Sequence, residues 1–349
     1  MLTIPDWQET YKGLPRIPEF KKYLRNGTTL TDEQIILFKI YDKKSVAAVE
    51  INILEKLISF YNSLETELKK LKYEPISLEE LDKFKNYIFY AFNFIPNISN
   101  YFRIENAYRL VVNERVQKTN TTITDIGFLK YPSMDIVKDY QRFNRCSTPN
   151  STLLYCAQTI DTALLEIRPP TDKLVTIGIW KQKNYNQEII GYPISHNDIL
   201  RGVNQRADDT LEYYSKSTTH FPVQMQDIMN TFLRILASEF TKEVSSHFDY
   251  IISALLSERM LQMNSTEGRK YDLMVYPSVG NKLKTENYAI KPSSLTEYFC
   301  LSEAIEFEIS RTLYDRPSTA LNPQSISLAE IKNMRRTMDI DSTGRIKWT

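Results

Sequence analysis

Glycine, histidine and cysteine are scarce in this chain, and neither sign of charge is in excess. The nine glycines among 349 residues form no G-x-G-x-x-G and no G-x-x-x-x-G-K-[ST], which argues against dinucleotide-binding and P-loop folds. His196, His220 and His247 are the only histidines, and no H-x-x-x-H or H-E-x-x-H pattern joins them into a zinc site. There is no G-x-S-x-G elbow, so Ser-His-Asp hydrolysis has neither its nucleophile nor its base. Cys146, Cys156 and Cys300 are far apart with no C-x-x-C, and they read as reduced thiols of a cytoplasmic protein. Lys+Arg 44 against Asp+Glu 43 leaves a net charge of +1, so no nucleic-acid partner is expected. The start carries no basic and apolar leader, and no run approaches the roughly 20 apolar residues that span a bilayer, so no membrane association is expected.

What is present is an ordinary globular composition, 42% hydrophobic and 25% charged, rich in tyrosine (22) and phenylalanine (16). Residues 1–100 read as an all-helical N-terminal region. Thr31-Asp32-Glu33-Gln34 has capping-box spacing, and Ser77 with Glu80 repeats it. Between them Val46, Val49, Ile53, Leu57, Phe60, Leu64, Leu68 and Leu71 recur at helical spacing. That stripe is expected to pack on its neighbours or to mediate self-association into a homo-oligomer.

From residue 101 the pattern becomes α+β. Strands are expected at 106–114, 153–157, 174–180, 188–192, 271–279, 287–292 and 304–313, and helices at 162–167, 208–215, 221–244 and 250–261. Residues 315–349 form a polar tail with a helix expected near 327–337, opened by Ser327 and Glu330. The chain is organised around residues 139–181. Leu153–Ala157 is a strand, Thr159-Ile160-Asp161 caps a helix that Arg168-Pro169-Pro170 stops, and Leu174–Trp180 is a second apolar strand. Glu166 therefore sits behind a packed strand, where a carboxylate needs a partner or a task.

Arginines, tyrosines, a glutamate and a serine on strand ends suit one reaction class, cleavage of the nicotinamide–ribose bond of NAD. The leaving nicotinamide is already cationic and departs neutral, so no general acid is required, unlike ordinary glycoside hydrolysis. Arginine holds a pyrophosphate through bidentate contact, an aromatic face holds the ring, and a carboxylate stabilises an oxocarbenium-like ribose.

Arg142-Phe143-Asn144, Leu154-Tyr155, Thr162–Glu166, Val275–Val279 and Asn287–Pro292 together resemble the RES domain, a family named for its Arg, Glu and Ser. The resemblance covers roughly Tyr101 to Ser310, and the domain is placed at 101–314. It implies an ADP-ribosyltransferase-like fold and an NAD-degrading toxin, hydrolytic or phosphorolytic, held by an antitoxin or regulatory protein and used in toxin–antitoxin or anti-phage defence. NAD would be substrate, with no resident cofactor and no metal. The resemblance implies Glu166, Tyr155 and Arg142 as catalytic: Glu166 on the ribose, Tyr155 against nicotinamide or ribose, Arg142 on NAD. Arg109, or Arg103 in its place, is implied to contact an NAD phosphate, Ser278 to hydrogen-bond the dinucleotide, and Asn287 to stand with them. The family's glycine after R-[FW]-N is missing here, and Arg145 competes with Arg142. A transferase acting on a macromolecule and a non-catalytic binding module working through the helical region are the alternatives.

Overall fold

The computed structural model describes Lys85, residues 100–219, Phe221, and residues 223–265, 268–312 and 328–348. The helical reading of 1–99, with its two capping boxes and apolar stripe, lies outside the described residues apart from Lys85.

The described chain is mixed α+β. In order it runs β1 (Asn100–Phe102), β2 (Ala107–Val112), α1 (Asn113–Gln117), α2 (Met134–Tyr140), β3 (Leu154–Ala157), α3 (Ile160–Ile167), β4 (Leu174–Gln182) and β5 (Ile189–Pro193). Then follow α4 (Asn197–Leu200), α5 (Gln205–Thr218), α6 (Val223–Thr241), α7 (Ile251–Gln262), β6 (Leu273–Pro277), β7 (Glu286–Ile290), α8 (Pro292–Tyr298), β8 (Phe299–Thr312) and β9 (Ala329–Thr337). Among the described residues the strands form one nine-stranded sheet in the order β1-β5-β6-β7-β3-β2-β4-β8-β9. All neighbours are antiparallel except β5 and β6.

β6 is apolar throughout because both of its faces are buried. Along β6, Met274 and Tyr276 pack into the core beneath α5, α6 and α7, while Leu273 and Val275 pack on the opposite side with Tyr288, Leu295 and Tyr298. Side chains alternate faces along a strand, so a strand covered twice carries no polar alternation. A third cluster seats Ala163 and Leu164 of α3 on Leu110, Val175, Ile177 and Phe307, which fixes the helix over β2 and β4.

One expectation needs correction. In the described part of the tail the expected helix is absent: Ala329–Thr337 is β9, paired with β8 from Ala304↔Thr337 to Thr312↔Ala329. Its registration comes from Arg335 and Arg336 pairing with Glu306 and Glu303 of β8, and no local periodicity reports such a pairing. The helix expected at 208–215 lies within α5, which Asn204 begins by accepting the Ala207 N–H with its side chain, and the short α4 precedes it.

Candidate active site

Glu166 stands on the last turn of α3. Thr159 caps that helix by accepting the Thr162 N–H at 3.1 Å, and Arg168 ends it in the left-handed region (φ 45°) ahead of Pro169. A carboxylate at a helix C-terminus faces the negative end of the dipole, so the helix itself gains nothing from it. Three donors hold it instead. The Ser278 hydroxyl (2.5 Å), the Asn287 amide (2.8 Å) and the Gly280 N–H (3.2 Å) all donate to Oε1. Oε2 has no partner among the described residues. The residue is exposed, not tucked behind a strand, and it lines a cleft of about 300 Å³.

The donors come from the connection between β6 and β7, which folds back onto the end of α3. Ser278 N–H donates to Thr285 O (2.8 Å) and Leu283 N–H to Ser278 O (2.7 Å), with Lys282 and Leu283 in the left-handed region. Asn281 donates its side-chain amide to Thr285 (2.8 Å) and Thr162 (3.2 Å), and its N–H to the Ser278 hydroxyl (3.2 Å). Gly280 is required by close approach: a Cβ there would lie 2.8 Å from Leu165 O and 3.1 Å from the Glu166 nitrogen. The start of α5 grips the same connection, Asn204 donating to Leu283 O (3.1 Å) and Arg206 pairing with Glu286 (2.7 Å).

Arg109 lines the cleft from β2. Its Nη1 donates to Tyr155 O at 3.2 Å, its Nε is buried without a partner, and no carboxylate pairs with it among the described residues. Burial lowers its pKa, against small opposing contributions from Cys156, Tyr155 and Tyr276. Tyr155 lines the cleft from β3 with its hydroxyl already engaged, donating to Ser147 Oγ (2.9 Å) and accepting the Cys146 N–H (3.1 Å). Burial pushes that phenol well above its usual range, and pushes the Cys146 and Cys156 thiols up to about 12, so both cysteines stay neutral. Among the described residues no cluster of His, Cys, Asp and Glu could hold a metal ion, and no helix is long and apolar enough to cross a membrane.

The structure thus brings together Glu166, Ser278, Asn287, Arg109 and Tyr155, and separates the rest. Ser278 is fully buried and turned to Glu166, so it orients the carboxylate and does not line the cleft. Asn287 does both, lining the cleft while donating to Glu166. Arg103 is exposed, pairs with Glu188 at 3.3 Å and does not line the cleft, whereas Arg109 does. Arg142 also stands outside, its guanidinium 6.0 Å from the exposed Tyr140 ring. The buried position of the motif belongs to Phe143, stacked on His247, and the turn from Asn144 to Ser147 then directs Arg145 inward. Sequence reasoning did not single out Tyr250, Gly280 or Asn281. Gly280, one of so few glycines and two residues after Ser278, was the signal available.

No family model, no curated protein and no solved structure matches the chain.

Proposed function

We propose that the chain cleaves the nicotinamide–ribose bond of NAD, as a glycohydrolase or phosphorylase of the RES type on an ADP-ribosyltransferase-like fold. One observation carries the reading: a single cleft holds a carboxylate with one oxygen free and an arginine with no anionic partner. A half-buried guanidinium without a counter-charge is costly, and an anionic ligand such as a pyrophosphate relieves it. Glu166, with Oε1 fixed by three donors, presents Oε2 to ribose hydroxyls and to positive charge developing at the anomeric carbon. The C–N electron pair goes to the nicotinamide nitrogen, which leaves neutral. Water adds to the ribose and loses a proton, or phosphate adds in its place. Loss of NAD then arrests growth, so a cell carrying the protein needs an antitoxin or regulator that blocks the cleft.

The test is purified full-length protein with NAD, with and without phosphate, beside Glu166→Ala. Nicotinamide release that vanishes in the variant supports the reading, and phosphate dependence separates phosphorylase from hydrolase. Transfer of ADP-ribose to a macromolecule with no free ADP-ribose would instead favour a transferase. Wild-type protein that neither releases nicotinamide nor binds NAD would overturn it.

A further inference from the structure

We propose that Tyr250 carries the nicotinamide ring in this cleft, and that Arg145 positions Tyr250 and strengthens that contact as the ring loses its charge; the inference rests on the NAD-cleaving reading of the site. The other tyrosines of the cleft have less to offer a ligand. Tyr276 is 4% exposed, the Tyr155 hydroxyl is engaged on both sides, and Tyr108 packs against the α3 cluster. Tyr250 is partly exposed, enters from the helical layer opposite the sheet, and lies close enough to Glu166 for that carboxylate to raise its pKa, although burial is the larger cause.

Its place is rigidly built. A capping box on Ser246 and Asp249 fixes the 3-10 turn His247–Tyr250 that leads into α7. His247 stacks on Phe143 at 6.3 Å and accepts the Phe143 N–H, so the turn is fastened to the loop before β3. Arg145 of that loop stacks its guanidinium 4.9 Å from the Tyr250 ring centre, with Nη2 3.5 Å from the hydroxyl. Its remaining hydrogen bonds go to Phe240 O (2.7 Å) and Lys242 O (3.4 Å), at the C-terminal end of α6, where a cation is favoured. Arg145 therefore cannot swing away to chase a ligand; it holds the tyrosine and places a positive charge behind it.

That charge has a direction of effect. It repels a pyridinium seated on Tyr250 and tolerates neutral nicotinamide, so the contact improves as the C–N electron pair moves onto the ring. An interaction that is stronger in the transition state than with bound substrate raises kcat and not merely affinity.

The experiment is steady-state NAD cleavage by the full chain, with nicotinamide as product inhibitor, for Tyr250→Leu, Tyr250→Phe, Arg145→Gln and Glu166→Gln. Base–aromatic stacking predicts a loss in kcat/KM of about 10-fold or more for Tyr250→Leu, with weaker inhibition by nicotinamide, while Tyr250→Phe stays near wild type. Arg145→Gln is expected to lower kcat more than it raises KM. Should Arg145→Gln fail to fold, the two Tyr250 variants still decide the ring contact. A Tyr250→Leu enzyme with wild-type kcat/KM and unchanged nicotinamide inhibition would overturn the ring contact. If Glu166→Gln is inactive in the same experiment, the NAD reading survives that result. An Arg145→Gln enzyme with raised KM and unchanged kcat would overturn the charge-dependent part. A wild-type chain that neither cleaves nor binds NAD would overturn both readings together.

Discussion

Glu166 and Glu306 are both carboxylates gathered by several donors, and they differ in what remains unused. Glu306, on β8 and 2% exposed, has both oxygens occupied: Oε1 by Thr122 and Arg335, Oε2 by Asn113, Ile123 N–H and Thr176. Its charge is cancelled by Arg335, whose guanidinium stacks on Trp348 at 4.8 Å. Glu166 has three donors on one oxygen, none on the other, and no cation among the described residues. The arginines repeat the contrast, Arg335 being paired and Arg109 not. A saturated, neutralised carboxylate is a structural joint, whereas a fixed but half-satisfied one beside an unpaired arginine is poised for something that is not protein.

Four measurements can break or sharpen that contrast. The largest effect is expected at Glu166→Gln, which keeps an acceptor for Ser278, Asn287 and Gly280 but removes the charge. NAD cleavage should fall about 100- to 1,000-fold in kcat, on the scale of losing one preorganised electrostatic group, with little change in Tm. Arg335→Met should do the reverse. It leaves Glu306 buried without its cation and costs about 3 kcal/mol of stability by urea unfolding, with kcat of the folded fraction unchanged. Gly280→Ala lies between these, because its Cβ would press on Leu165 O and shift the donors from Glu166. A displacement of about 1 Å can cost on the order of 100-fold in rate, so activity should fall well ahead of stability.

The smallest effect is a pH dependence at Glu286, a carboxylate between the two extremes. It is 5% exposed, faces a single cation in Arg206, and burial raises its pKa from 4.5 to about 7 despite that cation. A carboxyl whose pKa is higher in the folded state contributes stability while protonated, fully present below 4.5 and lost as pH rises through about 7. Urea midpoints should fall across that window, and Glu286→Gln should flatten the fall.

The part of this arrangement written locally was legible in the sequence. β3 and β6 are continuous apolar runs because both of their faces are covered, β4 is apolar up to Trp180 apart from Thr176, and α3 is bounded by its threonine cap and its prolines. The resemblance, and not periodicity, groups Glu166, Asn287 and Tyr155, and all three line the cleft. What depended on distant pairing was not legible. β9 exposes most of its residues and is registered by salt bridges to β8, while the spacing of Ser327 and Glu330 imitates a helix start. The resemblance implies Ser278 as a ligand contact, but the β6–β7 connection turns it inward onto a carboxylate 112 residues away. Arg142 and Arg145 exchanged places because the aromatic between them took the buried position, and the tight turn that follows reversed which arginine faces in.

The most direct test of the site is titration of NAD into three proteins by calorimetry: the inactive Glu166→Gln chain, the same chain also carrying Arg109→Met, and Glu166→Gln with Arg103→Met. We expect the first and third to bind NAD alike and the second to lose at least about 10-fold in affinity, since a charge-assisted bidentate contact is removed. Equal binding by all three, or no binding by any, would contradict the assignment of the unpaired arginine and the half-satisfied carboxylate to one ligand site.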